Sequence, residues 1–330
     1  MPKEKISVLI PVLNEVDSVE ILQQKLISVL TRVPDLVGAY EIIFIDDGSS
    51  DGTREKLSTL AEATEHCKAI FLRKNFGKSA ALAAGFSAAT GDFIITMDGD
   101  LQDEPDEIPR MIRKINEGYD LVAGWKEVRN DPFEKRFFSK IFNAIASRLT
   151  GVYLHDFNCG FKIYRSWCVK NIFLTGNLYR FLPVFVHQQG GKICELSVKH
   201  NKRVHGMSKY GMKRYLHGAA DLFTITLVAN FFQKPMYFFG IIAMPMVFLG
   251  GAILFYLIGH HLMWLVTGDL SYQLLNRPLL VLSLGLLGWG LNLVLFGALG
   301  ELMLQLVGRS QSQMHYTIEK VVENSLPGVK

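Results

Sequence analysis

Two aspartates stand one residue apart at the end of an apolar run, in the stretch IITMDGDLQDEP that begins at Ile94. Asp98 and Asp100 are closely followed by further acidic residues. Carboxylates this close repel each other unless a positive charge lies between them. A hard divalent cation takes oxygen ligands and often bridges to a diphosphate, so this spacing at a strand end favours a metal site. Alone, the same pattern is also typical of a solvated surface turn.

Two common phosphate-binding motifs are excluded. The stretch NFGKSA, which begins at Asn75, contains Gly-Lys-Ser, but a P-loop needs a glycine where Leu72 stands. The first apolar run is followed by PVLNE and not by a GxGxxG turn, which disfavours a dinucleotide site. If a nucleotide binds here, we expect carboxylates and a metal ion to hold it.

The elements that must position these carboxylates alternate between strand and helix patterns over residues 1 to about 200. Apolar runs such as KISVLIPV, YEIIFIDD and DFIITMD alternate with segments of helical spacing. This order predicts an α/β domain with a doubly wound, mainly parallel sheet. Ligands bind at the carboxyl ends of the strands in such sheets. Asp46, Asp47, Asp98 and Asp100 all fall at predicted carboxyl ends.

Four segments in order resemble family 2 glycosyltransferases of the GT-A fold: VLIPVLNE, FIDDGSSDGT, NFGKSAALAAGF and TMDGDLQDEP. The chain more closely resembles polyprenyl-phosphate sugar synthases, such as dolichol-phosphate-mannose synthase and bacterial undecaprenyl-phosphate glucosyl and aminoarabinosyl transferases. The likeness runs from Ile6 to about Tyr210. The segments DFNCGFKIYR and KRVHGMSKYG extend it on the acceptor side.

The resemblance implies a role for particular residues on the donor side. Asp98 would lie near the ribose and diphosphate, and Asp100 and Gln102 would complete the metal site with it, for Mg2+ or Mn2+. Lys126 stands where many relatives have arginine, which keeps a cation for phosphate but loses the bidentate fork. The nucleoside pocket would be lined by Pro11, Glu15, Asp46 and Asp47.

On the acceptor side, the resemblance implies a cluster of cations and one carboxylate. The residues that would grip the acceptor phosphate are Lys135, Arg136, Ser139, Arg203 and Lys209. Asp156 would be catalytic, although capping a turn or holding Arg165 is an equally good interpretation of a loop aspartate. The first two cations also fit a solvated helix face, and the last two fit binding to anionic lipid headgroups.

The apolar residues, 49% of the 330, are concentrated near the end of the chain. Residues 236–258 and 278–300 are each long enough to cross a bilayer as a helix. Cations are richer outside this pair than between its members, so the positive-inside rule places both termini in the cytoplasm. We therefore expect an integral membrane protein, of the inner membrane if bacterial. A net charge of +4 does not suggest nucleic acid as a partner.

The predicted organisation has four parts. A GT-A domain occupies residues 1–205, and amphipathic juxtamembrane helices occupy 206–234. The membrane hairpin spans 235–300, and a polar cytoplasmic tail follows at 301–330. Both apolar segments carry small residues, which let transmembrane helices approach closely. These predict a homo-oligomer, such as a tetramer.

The function that follows is an inverting, metal-dependent transferase. It moves a hexose or modified sugar from a nucleotide, UDP in preference to GDP, to polyprenyl phosphate on the cytoplasmic leaflet. One alternative is a family 2 enzyme that acts on a lipid alcohol or a growing polysaccharide. Another is a membrane protein that binds nucleotide sugars without catalysis. The sequence does not identify the sugar.

Overall fold

The computed structural model describes residues 4–126, 143–148, 150–170, 172, 174, 176–199, 201, 235–268, 278–308 and 318–323, with backbone alone for 304–308 and 318–323. The chain divides into two compact units. One comprises residues 1–225 and 314–330, and the other comprises residues 226–313.

Eight strands among these residues form a single sheet in the first unit. The inner strands are apolar on both faces, as expected where helices cover a parallel sheet on each side. The strands are β1 Glu4–Val12, β2 Val37–Asp46, β3 Cys67–Leu72, β4 Phe93–Thr96, β5 Leu121–Trp125, β6 Lys162–Arg165, β7 Ile193–Ser197 and β8 Ile318–Glu323.

The helices of this unit mostly connect consecutive parallel strands. The helix that follows β3 is rich in small residues, and Gly85 packs closely on Leu9 and Ile45 of the sheet. The helices are α1 Val19–Thr31, α2 Thr53–Ala63, α3 Lys78–Ala88, α4 Ile108–Ile115 and α5 Leu182–Gln188, with short 3-10 turns at Pro105–Glu107, Ser166–Cys168 and Leu178–Phe181. Residues 143–148 are also helical.

The strand order is β7-β5-β6-β4-β1-β2-β3-β8. Neighbouring strands from β4 to β3 are parallel, whereas β6 runs antiparallel between β4 and β5. The predicted α/β domain with a mainly parallel sheet is confirmed. Because β4 and β5 run in the same direction on either side of β6, their carboxyl ends lie at the same edge of the sheet, beside the residues that precede β6.

The end of the chain contains an element that the sequence pattern did not predict. Where we expected only a polar tail, β8 pairs antiparallel with β3, with Ala69 opposite Val322. Half of the six residues of β8 are charged, and charged residues are common in strands at the edge of a sheet. The chain therefore returns to the sheet after its apolar helices.

The second unit is an antiparallel pair of long helices, α6 Pro235–Thr267 and α7 Pro278–Gly308. Both are long and apolar enough to cross a membrane. Within the described part of the chain, only 17% and 11% of their most apolar windows are buried, which is unlike the core helix of a soluble protein. Both helices extend past the predicted segments 236–258 and 278–300. The predicted juxtamembrane helices at 206–234 lie outside the described residues.

Candidate active site

The two aspartates of the opening motif lie in a tight turn after β4. Leu101 adopts a left-handed backbone conformation with φ of 61°, which is uncommon for a residue with a side chain. The Gln102 N–H then donates to Asp100 Oδ1 at 3.2 Å. Such strain is typical of functional loops whose geometry the surrounding structure enforces. The turn leaves Asp98 and Asp100 partly exposed at the carboxyl end of β4.

A lysine, and not another carboxylate, faces Asp98. The Lys78 ammonium, at the start of α3, donates to Asp98 Oδ1 and lies 5.0 Å above the ring centre of Tyr179. Burial alone would raise the pKa of Asp98, but the charges of Lys78 and Lys126 lower it to about 2. Asp98 is therefore ionised throughout the physiological pH range.

A second ion pair lies beneath the same turn. The Lys126 ammonium is 3.0 Å from Asp103 Oδ1, and both side chains are largely buried. The other oxygen of Asp103 accepts a hydrogen bond from the Asp98 N–H at 3.2 Å. Burial would lower the pKa of Lys126, but Asp103 dominates and raises it well above its ordinary value. The residue expected to contact the donor phosphate is thus also a structural partner of Asp103.

A third lysine is buried in the sheet itself. Lys162, on β6, is only 3% exposed. Its ammonium donates to the backbone carbonyls of Cys159 and, at 3.3 Å, of Phe157. Burial lowers its pKa, opposed by the nearby carboxylates of Asp156 and Asp98. Lys162 therefore lies between the carboxylate of the donor side and the turn that precedes β6.

The turn that precedes β6 spans residues 156–160 and contacts Asp98 directly. A Cβ atom at Gly160 would lie 2.6 Å from Asp98 Oδ1, so only glycine fits here without displacing that carboxylate. Asp156 is 1% exposed, and its Oδ1 accepts from the Asn158 N–H at 3.1 Å. The buried Asn158 Oδ1 has no hydrogen-bond partner among the described residues. A bound ligand is one explanation for an unsatisfied polar atom at such a site.

Asp46 and Asp47, expected in the nucleoside pocket, hold the loops around it. Asp46 is fully buried and accepts from the backbone N–H groups of Gly48 and Ser49 at 3.1–3.2 Å. Asp47 accepts from Phe76 and Gly77 N–H at 2.7 and 2.9 Å, and burial raises its pKa despite these bonds. The two carboxylates thus fix the loops that follow β2 and β3.

Pro11 and Glu15 lie at the end of β1 on the same edge of the sheet. Pro11 lines a small cavity together with Lys78, Asp98 and Lys162. Glu15 accepts from Ser18 Oγ at 3.2 Å, and its N–H donates to Thr53 at 2.9 Å. The structure therefore gathers the donor-side residues around the carboxyl ends of β1, β2, β4 and β5.

The residues predicted to bind the acceptor phosphate are four cations and one serine. Lys135, Arg136, Ser139, Arg203 and Lys209 lie outside the described residues. Of the acceptor-side predictions, the structure places Asp156. It also shows that Arg165 pairs with Asp120 at 3.6 Å, while Asp156 caps its own turn.

The profile of the family described as "Glycosyl transferase family 2" matches residues 7–173. The chain belongs to this family. It is a glycosyltransferase, and the match covers every described donor-side residue named above.

Known proteins resemble the transferase along most of its length. It is 31% identical to the dodecaprenyl-phosphate galacturonate synthase of Rhizobium johnstonii over 97% of this chain and 94% of that protein. It is 38% identical to the undecaprenyl-phosphate 4-deoxy-4-formamido-L-arabinose transferase of Klebsiella pneumoniae over 68% of each chain. The fold resembles that of the glucosyl-3-phosphoglycerate synthase of Mycobacterium tuberculosis, solved with Mn2+ and UDP-glucose. The two are 18% identical, with a TM-score of 0.51 over 68% of this chain and 79% of that one.

The donor set of the transferase fits a hard divalent cation bound together with a substrate. In the described part of the chain, no group of three or more His, Cys, Asp or Glu residues is arranged to hold a metal. Mg2+ commonly binds through one or two carboxylates, with the remaining ligands from substrate phosphates and water. The partly exposed carboxylate of Asp100 suits that arrangement, and Gln102 beside it adds an amide oxygen. Asp98 is already balanced by Lys78.

Sequence reasoning missed three charged residues of this site: Lys78, Asp103 and Lys162. Lys78 belongs to the Gly-Lys-Ser stretch that failed the P-loop test, and the same stretch opens a helix at the carboxyl end of β3. Lys162 is a cation flanked by Phe161 and Ile163 in the strand pattern FKIYR. A charged residue inside an apolar run was the available signal, since lysine is rarely buried without a partner.

Proposed function

We propose that the protein is a membrane-bound inverting transferase that moves a hexose or modified sugar from a nucleotide diphosphate to polyprenyl phosphate. The main support is the match to the Rhizobium synthase over 97% of the chain, because this match extends through α6 and α7. A long isoprenoid acceptor needs a membrane, and these two helices are suited to crossing one.

The reaction is a direct displacement at the anomeric carbon. An oxygen of the lipid phosphate forms the new bond to this carbon as the bond to the nucleoside diphosphate breaks. The nucleoside diphosphate leaves with the electron pair, and the configuration inverts. A phosphate monoester has a second pKa of about 6, so it is largely a dianion at neutral pH and needs no strong base. What the enzyme must supply is cations that bring two anions together.

Two lysines among the described residues support this requirement on the donor side. Lys78 and Lys126 lie around Asp98 at the strand ends, where ligands bind in such sheets. We assign Lys135, Arg136, Ser139, Arg203 and Lys209 to the acceptor phosphate, following the family resemblance. We assign Asp156 to the acceptor side of the reacting carbon, where its negative charge stabilises a developing cationic centre.

We propose that Asp100 and Gln102, with Asp98 beside them, hold Mg2+ or Mn2+ when the donor is bound. A divalent ion there would neutralise charge on the departing diphosphate. We propose UDP as the carrier, in line with the UDP-glucose complex of the structurally similar synthase. The remaining steps need only this chain's residues, which bind, orient and desolvate the two phosphates.

We propose that the hairpin is embedded with the catalytic unit in the cytoplasm, at the inner membrane of a bacterium. We also propose a homo-oligomer, such as a tetramer. Gly250, Gly290 and Gly297 face the other helix of the hairpin, because a Cβ atom at each would lie 2.6–3.1 Å from that helix. At Gly251, Gly285 and Gly288, no described atom lies within 4 Å of such a Cβ. These open positions suit contact between protomers.

Transfer assays with the purified full-length protein test the reaction. Radiolabelled UDP-sugars are supplied with undecaprenyl phosphate, with undecaprenol or without lipid, each in Mg2+, Mn2+ or EDTA. We expect organic-extractable product only with the lipid phosphate and a divalent ion. Equal product with the lipid alcohol would refute the acceptor, and full activity in EDTA would refute the metal. Cross-linking in native membranes tests assembly, and a monomer there would refute the oligomer.

A further inference from the structure

Glu195, on strand β7, makes an unusual set of contacts with the chain just before the turn at residues 156–160. Its carboxylate accepts from the His155 N–H at 2.9 Å and from the Asp156 N–H at 3.2 Å. It also lies 2.8 Å from His155 Nδ1. One side chain therefore holds two consecutive backbone amides and one ring.

The carboxylate of Glu195 is partly shielded from water, which strengthens its hydrogen bonds. The Glu195 side chain is 12% exposed, whereas that of His155 is 68% exposed. Hydrogen bonds to a charged acceptor contribute more than neutral ones, and they gain strength as water is excluded. The His155 ring also stacks on Trp125, with centroids 4.3 Å apart. Trp125 is the last residue of β5 and directly precedes Lys126, so His155 joins the end of β5 and the middle of β7 to the turn.

The other end of the turn is held by a charge of opposite sign. Lys162 donates to the carbonyl oxygens of Phe157 and Cys159, while Glu195 accepts from N–H groups at the start. An anion bound to amides and a cation bound to carbonyls together fix the path of five residues. The turn so fixed presses Gly160 against Asp98 and presents Asn158 Oδ1, for which the described residues offer no hydrogen-bond partner.

We propose that Glu195 is a positioning residue, which sets Asp156 and its turn against the donor-side carboxylate Asp98 from a strand at the far edge of the sheet. This inference rests on the proposed acceptor-side role of Asp156. Glu195 itself touches no reacting atom. Its effect passes through the backbone of residues 155 and 156, since both amides lie within hydrogen-bond distance of its carboxylate.

Hydrogen exchange of the full-length protein in detergent tests the geometry without any substrate. We expect Glu195→Ala to raise exchange in peptides covering residues 151–160 and to leave those of α1 and β2 unchanged. Glu117→Ala is the matched control, because Glu117 is exposed and its ion pair among the described residues is a local one, with Lys114. Unchanged exchange at residues 151–160 in Glu195→Ala would overturn the positioning role of Glu195 and would leave the proposed function untouched.

Steady-state kinetics test whether the loss of these contacts slows sugar transfer. A misplacement of about 1 Å can cost about 100-fold in rate, so we expect kcat to fall about 10- to 100-fold in Glu195→Ala. The KM for the nucleotide sugar should stay within about 3-fold, because the donor-side contacts are intact. Glu195→Asp should recover part of kcat. His155→Phe keeps a ring on Trp125 and both backbone bonds, and should retain about half of kcat or more.

A double-mutant cycle shows whether the effect passes through Asp156. If it does, Glu195→Ala combined with Asp156→Asn should be no slower, within about 3-fold, than Asp156→Asn alone. Additive losses, or full turnover in Asp156→Asn, would overturn the inference. A wild-type protein that makes no lipid-linked product would instead refute the proposed function, while the exchange result would still stand or fall separately.

Discussion

Carboxylates lie at both ends of the central strands, but they differ in how far hydrogen bonds and burial enclose them. Towards the amino ends, Glu41 on β2 accepts from Ser7 Oγ and from both the N–H and the hydroxyl of Thr90 at 2.6–2.7 Å. Lys68 lies 3.4 Å from its other oxygen. At the carboxyl ends, Asp98 and Asp100 remain partly exposed beside lysines. A carboxylate enclosed by bonds serves folding, whereas one left open to solvent is available to a ligand.

The difference also shows what balances the acidic motif. The crowded carboxylates require a positive charge among them, and from their spacing we predicted a divalent ion. The structure places Lys78 on Asp98 and Lys126 on Asp103. These lysines stabilise two of the carboxylates, so an ion would be needed chiefly for Asp100 and an incoming diphosphate.

The largest effect is expected at the carboxyl ends of the strands, from Asp100→Asn. This change removes charge and leaves shape, so we expect the thermal midpoint of unfolding to shift by no more than about 2 °C. Metal-assisted stabilisation of a leaving group contributes several kcal/mol, so turnover should fall about 1,000-fold or more. A sugar-transfer assay measures the turnover, and differential scanning fluorimetry measures the thermal midpoint. Asp106→Asn, at an exposed pair with Arg32, is the control. Retained activity in Asp100→Asn would contradict a metal role.

Lys126→Met should affect stability as well as activity, which separates Lys126 from Asp100. Breaking a buried ion pair leaves an uncompensated charge and costs about 3–5 kcal/mol. Asp103→Asn added to Lys126→Met should recover part of that loss, since it neutralises the stranded carboxylate. Urea unfolding followed by Trp fluorescence measures this. If Lys126→Met were as stable as the wild type, Lys126 would serve only the ligand.

Gly160→Ala should reduce activity with little loss of stability. The added methyl group would lie 2.6 Å from Asp98 Oδ1, so the carboxylate must move away from it. A displacement of this size at a donor-side group is expected to lower kcat/KM about 100-fold. The free energy of unfolding should change by about 1 kcal/mol or less, because a single side chain can yield. A loss of stability without a loss of activity would assign Gly160 to folding alone.

The sequence predicted the site at the carboxyl ends of the strands better than the hydrogen bonds near their amino ends. Apolar runs and their order identified the strands β1 to β5, and the acidic motif falls directly after β4. Pairing at long range was not predictable: Glu41 meets Thr90, and Glu195 meets His155, across distances in sequence that local periodicity does not report. The strands β6, β7 and β8 were missed for a related reason. Short strands depend on the neighbour that they join, and β8 follows two helices of a different unit.

The smallest effect on activity is expected near the amino ends of the strands, from Glu41→Gln. Burial would raise the pKa of Glu41, but the bonds from Ser7 and Thr90 and the charge of Lys68 lower it below the model-peptide value of 4.5. A group with a lowered folded-state pKa stabilises the fold above its unfolded pKa, and that stability is lost as the pH falls through the folded value. Glu41→Gln should therefore cost about 1–3 kcal/mol at pH 7. The difference in the free energy of unfolding between wild type and Glu41→Gln should shrink below about pH 4.5.

Unfolding at a series of pH values measures this difference, with Glu65→Gln, at an exposed residue, as the control. Transfer activity well below the melting temperature should not change. If Glu41→Gln lowered kcat at pH 7 while the protein stayed folded, the enclosed carboxylate would also serve the site, and the contrast between the two ends would fail.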